Sequence, residues 1–164
     1  MNIPIDDLGS YIGEKISRIS KELILEERAS SFSTNGKTYS NNFDKSKIVF
    51  FEQKCKRLSI ETDNNDTITK IYFSLENILT EKTFSLIVKK YGNPSMMMKM
   101  GKIIKKESSI NDDYISSSIT SDLVDCSFSD KPIVINWFSK RFKLQINMDC
   151  EGDSSFISIE SNHN

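Results

Sequence analysis

The chain has 164 residues and a net charge of −1, from 22 Lys and Arg against 23 Asp and Glu. This balance provides no global field that would attract nucleic acid or an anionic membrane, so we expect the protein to bind neither. Hydrophobic residues make up 37% of the chain, which is enough for the core of one domain spanning residues 1–164.

The sequence predicts a cytoplasmic location. The first residues have neither the basic region nor the apolar run of a secretory leader. No segment approaches the roughly 20 apolar residues that a membrane helix needs. Cys55, Cys126 and Cys150 lack CxxC spacing, and we expect them to be reduced thiols.

An amphipathic helix is the first predicted element, over residues 8–25. Its apolar residues recur at steps of four and three, which places them on one helical face: Leu8, Ile12, Ile16, Ile19 and Leu23. Gly9 and Gly13 disfavour the first turns, so we expect the regular part to begin near Glu14.

A hairpin and strands are predicted next. The pair Asn35-Gly36 lies between two polar runs and is a strong signal for a two-residue hairpin turn. Two strands are predicted at residues 47–53 and 56–62, and the turn sequence DNND separates the second from a third strand.

The clearest pattern covers residues 69–95. Apolar and polar side chains alternate over residues 71–75, as in a half-buried strand. Thr80 is a favourable N-cap for the helix that follows, Gly92 can adopt the left-handed conformation at its end, and Pro94 prevents its continuation. This stretch predicts a strand, a capped helix and a stop.

The rest of the chain is less regular. The Met- and Lys-rich residues 96–107 favour a hairpin that turns at Gly101-Lys102, with a short helix as the alternative. Residues 108–122 are rich in Ser and Asp, and we expect them to form a mobile insertion. Three further strands are predicted, at residues 132–139, 141–148 and 155–160.

The chain contains a candidate internal repeat. A constant shift of 86 residues aligns residues 48–75 with residues 134–161 and matches apolar residues: Leu58 with Leu144, Ile60 with Ile146, Ile71 with Ile157, and Phe73 with Ile159. Chance agreement between two alternating patterns is the alternative. We predict two repeats, residues 1–76 and 77–164, each a helix followed by a β-meander.

The predicted fold class is α+β, in which the two tandem repeats form an antiparallel sheet with the helices packed on one face. A helix ending at Tyr91 and Gly92 before Pro94, followed by strands with Trp137 and a closing Ile-x-Ile strand, resembles β-lactamase-inhibitor-protein-like domains. Those domains are tandem helix-plus-sheet repeats found in secreted enzyme inhibitors and small bacterial lipoproteins. The resemblance implies the same architecture and an inhibitor role.

Strand alternation separates a buried face from an exposed one. The predicted buried residues are Leu58, Ile60, Ile71, Phe73, Leu144, Ile146, Ile157 and Ile159, joined by Val49, Phe51, Ile135 and Trp137. The other face combines aromatic and basic residues, which anchor many protein interfaces. Its candidate partner-binding residues are Phe50, Arg57, Tyr72, Phe138, Lys143 and Phe156. The alternative is that these aromatics pack beneath loops.

No motif in the chain indicates chemistry. The single histidine, His163, is next to the C-terminus, and the cysteines lack the spacing of a zinc site. No glycine-rich phosphate loop occurs. We expect no catalytic residue, no metal and no cofactor. The methionines are expected either to pack against the core or to form an adaptable contact patch: Met96, Met97, Met98 and Met100.

These observations favour a non-catalytic protein-binding module over an enzyme. We expect a bacterial inhibitor or immunity-type protein, such as an antitoxin, that neutralises a partner enzyme or toxin through its exposed sheet face. The alternative is a carrier that holds a small ligand or peptide in the groove between the repeats. An enzyme whose carboxylates meet only in the folded chain is a third hypothesis, and the oligomeric state is left open.

Overall fold

Alternating stretches of the chain form strands that join in one large sheet. The computed structural model describes residues 2–28, 36–41, 47–111, 114–149 and 153–162, without the side chains of residues 106–117 and 119. Within these residues eleven strands form a single mixed sheet, and the two α-helices are short. The predicted α+β class, with the helices of two repeats packed on one face, is wrong because the fold is mostly β.

The elements alternate along the chain. The strands are β1 (Ile3–Pro4), β2 (Leu25–Arg28), β3 (Thr38–Asn41), β4 (Ile48–Phe50), β5 (Gln53–Thr62), β6 (Ile68–Leu75), β7 (Met96–Asn111), β8 (Tyr114–Asp125), β9 (Val134–Phe138), β10 (Phe142–Asp149) and β11 (Ser154–Ser161). The helices are α1 (Leu8–Tyr11) and α2 (Glu81–Tyr91), and short 3₁₀ helices occur at Ile16–Arg18 and Phe128–Asp130.

The sheet runs from β1 at one edge to β8 at the other, in the order β1-β4-β5-β6-β11-β10-β9-β7-β8. Strand β3 pairs with one part of β5 and β4 with another, while β2 pairs with β3. Neighbouring strands are antiparallel except for β1 and β4, which are parallel. Two meanders, β4–β5–β6 and β9–β10–β11, lie side by side and meet where β6 pairs with β11.

The two meanders share a strand register. Leu58 of β5 lies opposite Phe73 of β6. Adding 86 to each number gives Leu144 and Ile159, which lie opposite each other in β10 and β11. The shift that aligns the two sequences therefore also aligns the cross-strand pairs at the centre of each meander.

The N-terminal segment does not form the predicted helix over residues 8–25. Only one α-helical turn occurs, at Leu8–Tyr11, and Gly13 then takes a positive φ of 88°. The Gly13 amide donates to the Ile68 carbonyl at 2.9 Å, and the Ile68 amide donates to the Glu14 carbonyl at 2.8 Å. Because these backbone groups bond to β6, they cannot continue a helical ladder. The first predicted repeat consequently lacks its helix.

The apolar residues of that segment are nevertheless buried. They line the inner side of the sheet without forming one continuous helix, at 6% exposure or less: Leu8, Ile12, Ile16, Ile19 and Leu23. A spacing of three and four residues is compatible with an irregular chain that turns repeatedly over a core. The burial was therefore predictable, whereas the helix was not.

Helix α2 is confirmed with its predicted ends. The Thr80 hydroxyl oxygen accepts a hydrogen bond from the Thr83 amide at 3.2 Å, which satisfies one free donor of the first turn. At the other end, Gly92 has a φ of 81° and donates to the Val88 carbonyl at 2.8 Å. Both caps lie in the positions that the sequence predicts.

Helix α2 also packs against the second meander. Ile87 is fully buried, and the Phe84 ring lies 4.2 Å from the Phe128 ring and 6.2 Å from the Trp137 ring, measured between centroids. The Trp137 indole nitrogen donates to the Gly92 carbonyl at 2.8 Å. This bond satisfies the buried indole N–H and joins the end of the helix to β9.

The sequence predicts turns in two hairpins of this chain. Strands β2 and β3 pair with Arg28 opposite Thr38, and the predicted turn residue Asn35 lies outside the described residues. The predicted turn at Gly101-Lys102 is wrong, because β7 continues through it and pairs with β8. The described backbone of residues 108–122 belongs to these two strands, and the mobility expected of this segment stays a prediction.

The register predicts that equivalent core positions are equally sensitive to truncation. Phe73→Ala and Ile159→Ala should each lower the free energy of unfolding by ~2–5 kcal/mol, since both side chains are at most 3% exposed. Urea denaturation measures this loss. The matched controls Phe156→Ala and Ile104→Ala, at 53% and 68% exposure, should change stability by less than ~0.5 kcal/mol. A comparable loss in the controls would contradict the register.

Candidate functional site

The sheet has an inner face and an open face. The N-terminal segment and α2 lie on the inner face, and the eight central residues predicted to be buried there are confirmed, at no more than 3% exposure: Leu58, Ile60, Ile71, Phe73, Leu144, Ile146, Ile157 and Ile159. We use the term open face for the opposite side, which carries Arg57, Tyr72, Lys143 and Phe156. In both meanders, successive residues of a strand belong to opposite faces of the sheet.

Three of the predicted binding residues line one groove on the open face. Arg57, Tyr72 and Phe156 border a space of about 290 Å³ at the seam between β6 and β11. Ser74 links the two meanders there, because it lies opposite Arg57 on one side and Phe156 on the other. Strand pairing thus assembles a single surface from residues that are far apart in the sequence.

Phe138 and Lys143 lie elsewhere on the open face. They are opposite each other on β9 and β10, and Lys143 is also opposite Glu160 of β11. Phe138 is 54% exposed, and its backbone amide donates to the Ser95 hydroxyl at 3.1 Å. The face therefore presents two well-exposed phenylalanines, Phe138 here and Phe156 at the groove.

The expectation that Phe50 is exposed is wrong. Its side chain is 0% exposed, and its ring lies edge-on to the rings of Phe51 and Phe73, at centroid distances of 4.8 and 5.0 Å. Val49, which we expected to be buried, is only half-buried. The side-chain alternation of β4 is thus opposite to the predicted one.

A β-bulge in β5 causes this reversal. Lys56 is an inserted residue between Cys55 and Arg57, which pair with consecutive residues of β6. One extra residue reverses the alternation on one side of the bulge. The bulge therefore places Gln53 on the inner face. Phe50 lies opposite Gln53, so it is on the inner face as well. An isolated lysine in an alternating run gives no sequence signal for a bulge.

Met96 and Met98 of β7 extend the open face, as the contact-patch alternative implies, whereas Met97 packs against the core. Met98 lies opposite Val134 of β9, Val134 lies opposite Asn147 of β10, and Asn147 lies opposite Phe156 of β11. Directly opposed residues lie on the same side of a sheet, so Met98 and Phe156 belong to one row. Met96 and Met98 are two residues apart and therefore lie on the same side of a strand. This spacing identifies the open face only once β7 is known to pair with β9.

Beyond Met98 the β7–β8 hairpin continues as a two-stranded arm. In the described structure β8 pairs with β7 alone. The arm has a group of exposed apolar side chains, between 37% and 68% accessible: Met100, Ile103, Ile104, Leu123 and Val124. Met100 and Leu123 lie opposite each other on the side that continues from Met98. Apolar side chains therefore occur both at the groove and on the arm, and Asn147 separates Phe156 from Val134 in the row between them.

Charges on the open face are only partly compensated. The Lys70 ammonium lies 3.8 Å from the Glu160 carboxylate and 6.0 Å from the centre of the Tyr72 ring. Within the described residues, Arg57 and Lys143 form neither an ion pair nor a hydrogen bond through their side chains. Two cations are therefore available to carboxylates of a binding partner.

One buried acceptor on the open face is unsatisfied. Asn136 lies opposite Met96 and Gln145 and is 3% exposed. Its Oδ1 atom accepts no hydrogen bond from the described residues. An unsatisfied buried acceptor costs ~1–3 kcal/mol. Met96, an adaptable residue type, lies directly opposite Asn136 on the same side of the sheet.

Two observations on the described residues concern reactivity and metal binding. Burial raises the pKa of the Cys55 thiol far above its ordinary value, which keeps it protonated and weakly nucleophilic. Among the described side chains no three of His, Cys, Asp or Glu are placed to hold a metal ion. No helix in the described part of the chain is long and apolar enough to span a bilayer. His163 and Cys150 lie outside the described residues.

Comparison with known protein families, curated proteins and solved structures gives no match. The resemblance to β-lactamase-inhibitor-protein-like domains thus stays a prediction from the sequence.

Substitution of two phenylalanines tests the placement of the site. Phe50→Ala should lower the free energy of unfolding by ~3–5 kcal/mol, because it empties a fully buried ring position. Phe138→Ala removes a ring that is 54% exposed and should cost less than ~0.5 kcal/mol. Chemical denaturation of both variants gives the two values. Equal losses of unfolding free energy would show that the bulge does not place Phe50 and Phe138 on opposite faces of the sheet.

Proposed function

We propose that this protein is a non-catalytic binding module whose open face docks on another protein. The observation that carries the proposal is the presence of two phenylalanines more than half exposed, Phe138 and Phe156, on one face with two cations that have no ion pair within the described residues. Aromatic and arginine residues contribute most of the binding energy at many interfaces. A large apolar side chain in water gains free energy when a partner covers it.

The unpaired cations favour an acidic partner. Arg57 and Lys143 lie on different strands of the open face, so they would contact carboxylates at two separate places. Such pairs increase the rate of association and orient the partner more than they add affinity. An inhibitor or immunity-type protein that neutralises an acidic enzyme or toxin fits this surface.

The unsatisfied Asn136 acceptor supports the same proposal. A hydrogen-bond donor from a partner would remove the cost of its buried Oδ1 atom once Met96 moves aside. This free energy would be recovered only in the complex. It would therefore favour a partner with a donor at that point.

The groove favours a second candidate function. It lies at the seam of the two meanders, where Tyr72 and Phe156 provide apolar walls and Arg57 a charge. Its volume of about 290 Å³ is at the lower limit for small-ligand sites. A peptide side chain or a small anionic ligand would fit, in which case the protein would act as a carrier.

Affinity measurements with face variants test the proposed docking surface. The wild-type protein is used to capture a partner from a native lysate, and the purified partner is then titrated against each variant. Tyr72→Ala and Phe156→Ala should each weaken binding by ~2 kcal/mol or more, roughly 30-fold, without a change in melting temperature.

Val124→Ala is the control, because Val124 is exposed on the arm opposite Lys99, away from the groove. It should bind like the wild type. Retained affinity in both Tyr72→Ala and Phe156→Ala would contradict docking on the open face. Binding of a small molecule that these two variants lose, with no protein captured, would favour the carrier.

A further inference from the structure

A second cavity lies at the edge of the sheet where β1, β4 and β5 meet. It has a volume of about 390 Å³, and its charged and amide-bearing lining residues are Asn2, Lys47, Lys54, Lys56 and Glu76. The groove described above has none of these residues in its lining. This region, termed the lysine cavity, is therefore a separate site.

Strand pairing brings the three lysines together. The parallel pairing of Ile3 with Ile48 places the start of β1 beside the start of β4, where Lys47 precedes the strand. Lys54 lies opposite Val49 in the neighbouring strand pair. Lys56 is the residue inserted at the β5 bulge. The irregularity that displaces Phe50 therefore also adds a third ammonium group to the cavity.

The positive charge of the cavity exceeds the negative charge of the nearby carboxylates. In the described part of the chain, none of the three lysines forms an ion pair or a side-chain hydrogen bond. Among the described lining residues Glu76 has the one carboxylate, and the Asp6 carboxylate is close enough to act on the Cys55 thiol, against three ammonium groups. The Cys55 thiol also lines the cavity, and burial raises its pKa, so it remains neutral. Ammonium groups of like charge repel one another, and a bound anion relieves that repulsion.

We propose that the lysine cavity binds a cluster of phosphate groups. Lysine contacts phosphate as a point charge, and three lysines match a ligand whose negative charge is spread over several phosphates. The Asn2 amide can provide a neutral donor. No aromatic residue is among the described residues that line the cavity, so recognition is directed to the phosphates rather than to a stacked base. This site is independent of docking on the open face.

Titration with inorganic tripolyphosphate tests the proposal on the intact protein without a protein partner. Isothermal calorimetry should detect binding that weakens as salt is added. The double variant K54Q/K56Q should raise the dissociation constant at least roughly tenfold, since it removes two of the three ammonium groups that would contact the phosphates. All these lysines are exposed, so the fold should be retained.

The control is K21Q/K89Q, which removes the same charge from two exposed lysines outside the cavity lining. It should change the dissociation constant by less than about twofold. A second arm uses phosphatidylcholine vesicles with and without phosphatidylinositol bisphosphate, because clustered phosphates also occur on lipid headgroups. The site is supported if either arm detects binding that K54Q/K56Q loses and the control keeps. The arm that detects it shows whether the phosphates belong to a free ligand or to a lipid headgroup. No binding in both arms, or equal loss in the control, overturns it.

Discussion

The pairing of β6 with β11 is the contact on which the rest of the structure depends. Tyr72 and Ser158 lie opposite each other at this seam, and their numbers differ by the same 86 residues that relate the two meanders. The meanders are thus arranged about an approximate two-fold axis through that pair. Their apolar sides form one continuous inner face, which α2 and the N-terminal segment bury. The same pairing makes their polar sides one continuous open face, with the groove at its centre.

The β5 bulge breaks this approximate symmetry, and both proposed sites depend on it. On the open face it leaves Arg57 beside Ser74 while withdrawing Phe50 into the core. At the sheet edge the same inserted residue, Lys56, adds charge to the lysine cavity. The second meander retains the regular alternation, so Phe138 stays exposed. One extra residue in a strand therefore makes two halves with similar sequence patterns present different surfaces.

Features determined within a few residues can be predicted from this sequence, and those determined by a distant strand cannot. The caps of α2 are predictable because Thr80 and Gly92 act on their own turns of the helix. Alternation over β6 identifies its buried side for the same reason. The end of the α-helix at Tyr11 depends on hydrogen bonds to Ile68, which outweigh local spacing. The addition of the methionines to the binding face likewise depends on the pairing of β7 with β9.

Native-state hydrogen exchange tests the central pairing most directly. If β6 and β11 form one seam, their paired amides should exchange only through global unfolding. The opening free energies at Tyr72 and Ser158 should then equal each other and the free energy of unfolding from denaturation. The amides of β8, which pairs with β7 alone among the described strands, should open at lower free energy. Protection of β6 with rapid exchange throughout β11, or the reverse, would show that the meanders open independently and would contradict a continuous open face.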